Sequence, residues 1–229
     1  MPTTTTTEFT GFPPELFAFL AGLAADNSKS YWDAHADTWA HQVKAPIAGL
    51  MAELGPEFGP LRTFRPNRDV RFAKDKSPYK TWVGITNTDR ASGGVGVFMS
   101  ATADGLTAAG GAMLLESDQL SRYRDAVVGS ASGRELDQIR RDLADRDLEL
   151  GPGDFPVYKR LPAGCPADHP QADLLLWKGI IVIQRSDVSG WMHTPTMADR
   201  VGDVWRATQP LLDWIQRHVG PSTKPASRR

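Results

Sequence analysis

The sequence predicts an α+β fold, a single domain in which helices pack on an antiparallel sheet that runs as a meander, with N- and C-terminal helices flanking it. Three observations carry that reading. Apolar residues recur at three- and four-residue spacing towards both chain ends, two-residue alternation takes over from residue 62, and short strand-like runs between residues 81 and 113 are separated by turn residues. The length, 229 residues, suffices for a sizeable core, and a composition of 41% hydrophobic and 23% charged residues excludes a disordered or fibrous chain.

Pro13 and Pro14 stand where a first helical turn tolerates proline, and Leu16, Phe17, Phe19, Leu20 and Leu23 give a helical face ending near Asn27. Ser28 or Ser30 then caps a second helix carrying Trp32, His35, Trp39, Val43, Ile47, Leu50 and Leu54. Pro46 should kink that helix, because proline lacks an N–H and crowds the preceding turn. Gly55-Pro56 and Gly59-Pro60 should end it. Beyond residue 62, Phe64, Val70 and Phe72 share one parity and Arg65, Asn67, Asp69 and Arg71 the other, which predicts an extended segment with one polar face. Pro66 places it at a sheet edge or a bulge.

Residues 81–86, 95–101 and 106–113 read as strands, the last two joined by a tight hairpin at Ala103-Asp104-Gly105. Helices follow over 117–128 and 132–144, with Leu136, Ile139, Arg140 and Leu143 on neighbouring turns of the second. Asp168-His169-Pro170 forms a turn into a short helix, with Asp168 as its cap. Ile180-Ile181-Val182-Ile183 reads as a strand buried on both faces. A final helix over about 195–218 carries Val201, Val204, Trp205, Leu211, Leu212 and Ile215, and Pro210 should kink or divide it. With no internal repeat or linker, the domain spans 9–219, between flexible polar tails at 1–8 and 220–229.

Several function classes are disfavoured. The 26 basic and 27 acidic residues nearly cancel, so no global charge attracts nucleic acid or an anionic membrane. Cys165 is the sole cysteine, which rules out an intrachain disulfide and a multi-cysteine zinc site and makes the cytoplasm the expected location. The N-terminus lacks a basic and an apolar region of signal-peptide type, and no apolar run approaches the ~20 residues that span a bilayer, so no membrane association is expected. There is no Gly-x-Ser-x-Gly elbow, Walker loop or two-histidine zinc helix, and Gly93-Gly94-x-Gly96 leads into a strand. No cofactor is implied.

Residues 61–82 stand out. They hold four arginines and three lysines against Asp69 and Asp75, a local net charge of +5 in a chain of −1. Arginine offers a planar fork that matches phosphate or carboxylate, and lysine a flexible point charge, so the mixture suits an anionic ligand that must be both oriented and neutralised. Arg65 and Arg71 share the polar face, where Asp69 could hold either. Arg68 shares its parity with Val70 and Phe72, and an unpaired guanidinium there is costly to bury. It must pair, escape at a bulge or point into a cleft. The plainer reading is a set of solvated charges that protect a sheet edge from aggregation.

Phe64-Arg65-x-Asn67-Arg68-Asp69-Val70-Arg71-Phe72-x-Lys74-Asp75-Lys76-Ser77-Pro78-Tyr79-Lys80-Thr81 resembles the signature of the domain of unknown function 2461 family, a group of hypothetical proteins. Asn27 with Trp32 and His35, and Asp168-His169-Pro170 followed by Asp173-Leu174-Leu175 and Lys178, extend the similarity over most of residues 9–219. In one departure, Leu161-Pro162-Ala163-Gly164 stands where the family suggests Pro-Arg-Gly, so a basic side chain is missing at Ala163, for which Lys159 or Arg160 could substitute. The resemblance implies a shared fold and no particular reaction.

Other groups carry weaker chemistry. Asp33, Asp37 and His41, at i, i+4 and i+8 of a predicted helix, could chelate a divalent cation in pairs, although a solvated face is the commoner outcome and no metal site is assigned. His35 lies between Trp32 and Trp39 on the apolar face, as a packed histidine or a general acid or base beside a basic cleft. His169 could approach the basic segment. Cys165 is an ordinary loop thiol unless a histidine activates it.

The leading functional expectation is a cleft in which Arg65, Arg68, Asp69, Arg71, Lys74, Lys76, Tyr79 and Lys80 bind an anionic, phosphate- or carboxylate-bearing small molecule. Tyr79 would add hydrogen bonding or stacking. Were the protein an enzyme, Arg68 and Arg71 would stabilise developing negative charge, and His35 or His169 would transfer protons. One alternative is single-stranded nucleic-acid binding through the basic run and Phe64, Phe72, Tyr79 and Trp82. Another is a protein-interaction module anchored by the edge strand or by Trp191, Trp205 and Trp214.

Overall fold

A computed structural model describes residues 9–88, 94–163, 165 and 168–224. The expected tail at 1–8 and the last five residues, 225–229, of the one expected at 220–229 lie outside the described residues, as do Gly93 and Gly164. The class is α+β, as the sequence predicts, with one six-stranded sheet of order β1-β2-β3-β4-β6-β5. The strands are β1 (Arg62–Thr63), β2 (Trp82–Thr86), β3 (Val95–Thr102), β4 (Gly105–Ala112), β5 (Leu150–Gly151) and β6 (Ile180–Asp187). β1 pairs antiparallel with β2, Arg62 opposite Thr86, and β2 with β3, Trp82 opposite Thr102. β5, unmarked in the sequence, pairs antiparallel with β6. The chain packs as two compact units: one takes the residues up to Asn87 with Phe98–Ala108 and Arg185–Asp203, the other Thr88–Val97, Ala109–Gln184 and the chain from Val204. Neither is continuous in sequence, and β3, β4 and β6 each contribute to both.

In the first unit, α1 (Pro14–Ala25) begins at the two prolines and buries Leu16, Phe17, Phe19, Leu20 and Leu23. Ser28 caps α2 (Lys29–Ala34), its hydroxyl accepting from the Tyr31 amide at 3.1 Å. The predicted continuous second helix is interrupted. After α2 and the single turn α3 (Ala36–Thr38), residues Trp39–Lys44 form a π-helical turn, in which the Ala45 amide reaches back to the Ala40 carbonyl, before α4 (Ala45–Phe58) resumes. Pro46 explains it, since the ring would clash with the carbonyl four residues back in α register and the wider turn relieves that crowding. Pro56, expected to end the helix, lies inside α4, which stops at Gly59.

The extended segment predicted beyond residue 62 is corrected. Only Arg62 and Thr63 form strand, and residues 64–81 leave the sheet as a loop in which Phe72, assigned to an apolar face, is 97% exposed. The chain here is the sheet edge, so there is no second strand to bury the even-numbered, apolar side chains.

In the second unit, α5 (Ser117–Val128) and α6 (Ser132–Ala144) occur as predicted, α5 opening with a capping box between Glu116 and Gln119. Tyr123 and Trp214 meet edge to face at 6.3 Å in its core, where the Tyr123 hydroxyl donates to the Leu174 carbonyl at 3.0 Å and burial pushes its pKa up. The short helix α7 (Ala172–Leu175) has Gln171, not Asp168, at its cap position. The last helix, α8 (Thr196–His218), belongs to this unit from Val204 and to the first unit up to Asp203, and it runs through Pro210 undivided. A Cβ at Gly110 of β4 would stand 2.2 Å from the Thr208 hydroxyl, so only glycine admits that buried threonine on α8.

Residues 220–224, placed in a flexible tail by the sequence, are tied to the start of α5. The Asp118 carboxylate accepts from the Ser222 hydroxyl and the Thr223 amide, each at 2.8 Å, while the Arg122 guanidinium donates to the carbonyls of Val219 and Pro221.

Candidate functional site: the neck of the basic loop

The loop leaves β1, returns at β2 and is closed at its base by two backbone hydrogen bonds of 2.8 Å, Arg68 N–H to Pro78 O and Lys80 N–H to Pro66 O, around an antiparallel bridge of Asn67 with Tyr79. Pro66 has no N–H to give but its carbonyl serves the closure. On the other side of Tyr79, the Asn27 side chain takes the place of a missing strand, its amide donating to Tyr79 O and its oxygen accepting from Tyr79 N–H, both at 3.0 Å. The Tyr79 ring stacks on Trp32 at 4.3 Å and 12°, and Trp32 in turn meets Trp39 and Phe19. An aromatic group built on α1, α2 and the π-helical turn thus holds the neck.

Most of the charges in the loop are engaged within it. Arg71 grips Asp69 with Nε to Oδ1 at 2.9 Å and Nη2 to Oδ2 at 2.6 Å, which lowers the Asp69 pKa to about 2. Lys76 donates to the Val70 carbonyl at 2.9 Å. Arg68 pairs with Asp75, whose carboxylate also accepts from the Ser77 hydroxyl at 2.6 Å and amide at 2.9 Å. Those Ser77 bonds first, and Arg68 after them, hold the Asp75 carboxyl well below the usual range. Lys80 donates to the carbonyls of Arg65 and Asn67 and lies 5.6 Å from the Trp82 ring, and burial lowers its pKa.

Beside the neck is an open hollow of about 510 Å³ lined by Ala24, Asn27, Arg68, Asp75, Ser77, Tyr79, Lys80, Thr81 and Trp82. Of the eight residues expected to converge, it brings together Arg68, Tyr79 and Lys80, and not Arg65, Asp69, Arg71, Lys74 or Lys76. Arg68 therefore resolves its parity conflict twice over, by pairing and by facing a concavity with its side chain 30% exposed. Tyr79 is only 8% exposed and one face of its ring is covered by Trp32, so its main part is structural. The sequence reading missed Asp75 and Ser77 as wall residues, although a carboxylate two residues before a serine is a turn signal.

The remaining candidates lie elsewhere. His35 stacks on Tyr31 at 4.0 Å with Nδ1 bound to the Tyr31 carbonyl, and neither it nor His169, whose Nδ1 accepts from the Gln171 amide at 3.1 Å, lines the hollow. The chelating face of Asp33, Asp37 and His41 is broken at His35, Lys29 pairs with Asp33, and His41 turns Nδ1 to the Asp37 backbone. Among the described residues no cluster of three or more His, Cys, Asp and Glu side chains is placed to hold a metal ion. Cys165 is half-buried, its amide donating to Pro162 O at 3.2 Å. Trp205 and Trp214 are fully buried and cannot anchor a partner, while Trp191 is half-buried beneath Arg200 at 4.8 Å. Phe64 and Trp82 face each other at 5.1 Å and both meet Phe98.

No helix among the described residues is long and apolar enough to cross a membrane. No curated protein matches the chain. Residues 15–214 match a family described as conserved hypothetical protein, and the match takes in the whole neck and its aromatic support from α1 onward. With that span covering most of its length, the chain belongs to the DUF2461 family.

Proposed function

We propose that the hollow at the neck receives the anionic group of a small molecule, a phosphate or a carboxylate. The observation that supports this most directly is the presence of both Arg68 and Lys80 among the residues that line one hollow. Arg68 provides a fork for paired oxygens and Lys80 a point charge. Asp75 is the resident counter-ion. An incoming anion must take Arg68 from it, and Ser77 keeps the released carboxylate solvated, so the exchange is local and reversible. Reactions at the site are not part of this reading, since both histidines lie away from the hollow.

The test is retention of inorganic phosphate and of acetate, read by ³¹P line broadening and by calorimetry. Arg68→Ala should abolish retention, while Asp75→Asn, which keeps an acceptor for Ser77 but frees the guanidinium, should tighten it by about tenfold, the worth of one charge-assisted contact. Unchanged binding in both variants would remove the proposal. A second reading has one observation in its favour: Phe72 stands bare at the loop, in a run with Arg71, Lys74 and Lys76, as a stacking surface for an unpaired base. Oligonucleotide binding that disappears with Phe72→Ala but survives Arg68→Ala would select it.

A further inference from the structure

A second concavity of about 410 Å³ lies in the first unit, away from the basic loop, between the N-terminal segment 9–14 and the π-helical turn. Its walls are Phe9, Thr10, Gly11, Phe12, Pro13 and Pro14 on one side, with His193, and His41, Gln42, Ala45, Pro46 and Gly49 on the other. The surface is largely apolar, and it carries no lysine, arginine or carboxylate. An anion would find no counter-charge there. A flat or compact apolar body would find the rings of three prolines, Pro13, Pro14 and Pro46, backed by the buried Phe9 and Phe12, at a volume within the ordinary range for small-molecule sites.

The polar groups are specific. His193 Nδ1 lies 2.7 Å from the Phe12 carbonyl, and His41 Nδ1 lies 2.9 Å from the Asp37 carbonyl. A carbonyl only accepts, so in each ring Nδ1 carries the hydrogen, and in the neutral imidazole Nε2 is left with its lone pair. Two imidazoles, one on each side of the cavity, are thus both set as acceptors. The backbone fixes them: the Phe12 amide donates to Met192 O at 2.7 Å, and Gly11, at a φ of 103°, lets the strand of chain pass so close that a Cβ would stand 2.3 Å from the Thr194 nitrogen. His41 and Gln42 are presented by the π-helical turn, whose extra backbone residue widens the helix where a site can form.

From these observations we infer that this cavity is a binding site for a small uncharged molecule with an apolar ring and a hydroxyl group, the hydroxyl donating its one hydrogen to one of the two histidines. A metal ion is not the occupant the geometry selects, because two imidazoles stand there without a third protein ligand among the described residues. The site is independent of the anion hollow.

The probe is 4-fluorophenol, followed by ¹⁹F NMR on the full chain. Its resonance should broaden and shift saturably. 4-Fluoroanisole, which keeps the ring but cannot donate, should bind about tenfold more weakly, the loss of one hydrogen bond. Of His41→Ala, at an exposed position where folding is not at stake, and His193→Ala, the variant that removes the acceptor should reproduce that loss for the phenol, whereas Arg68→Ala should leave it unchanged. Equal binding of the two probes, binding that survives the double histidine variant, or no response to the phenol would overturn the assignment.

Discussion

Asn27 makes two hydrogen bonds to one backbone residue, fifty-two positions away, and no stretch of sequence around it announces that task. Asn27→Ala deletes both and leaves a part-buried donor and acceptor on Tyr79, so it should lower stability by about 2 kcal/mol. The measurement is a shift of the urea midpoint at unchanged slope. Asn27→Asp should do nearly as much harm, since a carboxylate can accept from the Tyr79 amide but cannot donate to its carbonyl. At this scale the sequence was legible where charge was the signal. The excess of cations at residues 61–82 and the misfit of Arg68 both pointed to the neck. It was not legible where a neutral amide closes a long-range contact, because asparagine serves equally as a cap, a turn or a surface residue.

Elements were legible in proportion to their partners. The β3–β4 hairpin, α5, α6 and the apolar run of β6 follow the sequence periodicity closely, since each has a neighbour that fixes which face is buried. The segment at 64–72 has equally clear alternation but sits at the end of the strand order, and without a second neighbour its alternation buys no burial. Proline effects split in the same way. Pro46 produced a wide turn in place of a simple kink, while Pro210 lies on an exposed position of an undivided helix. Because that proline withholds one helical hydrogen bond and no packing depends on it, Pro210→Ala should stabilise the protein by about 1 to 3 kcal/mol, read as a higher urea midpoint.

For the molecule as a whole, the end of the described chain is part of the structure through Asp118. The Thr223 amide foremost, then the Ser222 hydroxyl and Arg122, hold its carboxyl well below the usual range. A carboxyl depressed in the folded state contributes its full stability above the unfolded value, near about 3.9, and loses it as the pH falls towards the folded value. The melting-temperature gap between the native chain and Asp118→Asn should therefore be widest at about pH 5 and close progressively towards about pH 2. A gap independent of pH would mean that the clamp acts without its charge. Composition at the terminus could not foretell this, because a polar proline-bearing stretch looks the same whether or not a carboxylate is waiting for it.

Every bond that closes the basic loop lies at its base: Pro66 with Lys80, Arg68 with Pro78, and Asn27 with Tyr79. Beyond that throat, the chain from Asp69 to Lys76 answers mainly to its own internal ties. Changes in composition at the exposed end are consequently insulated from the frame, and the two can be altered separately, much as a tool head can be exchanged without recutting the handle.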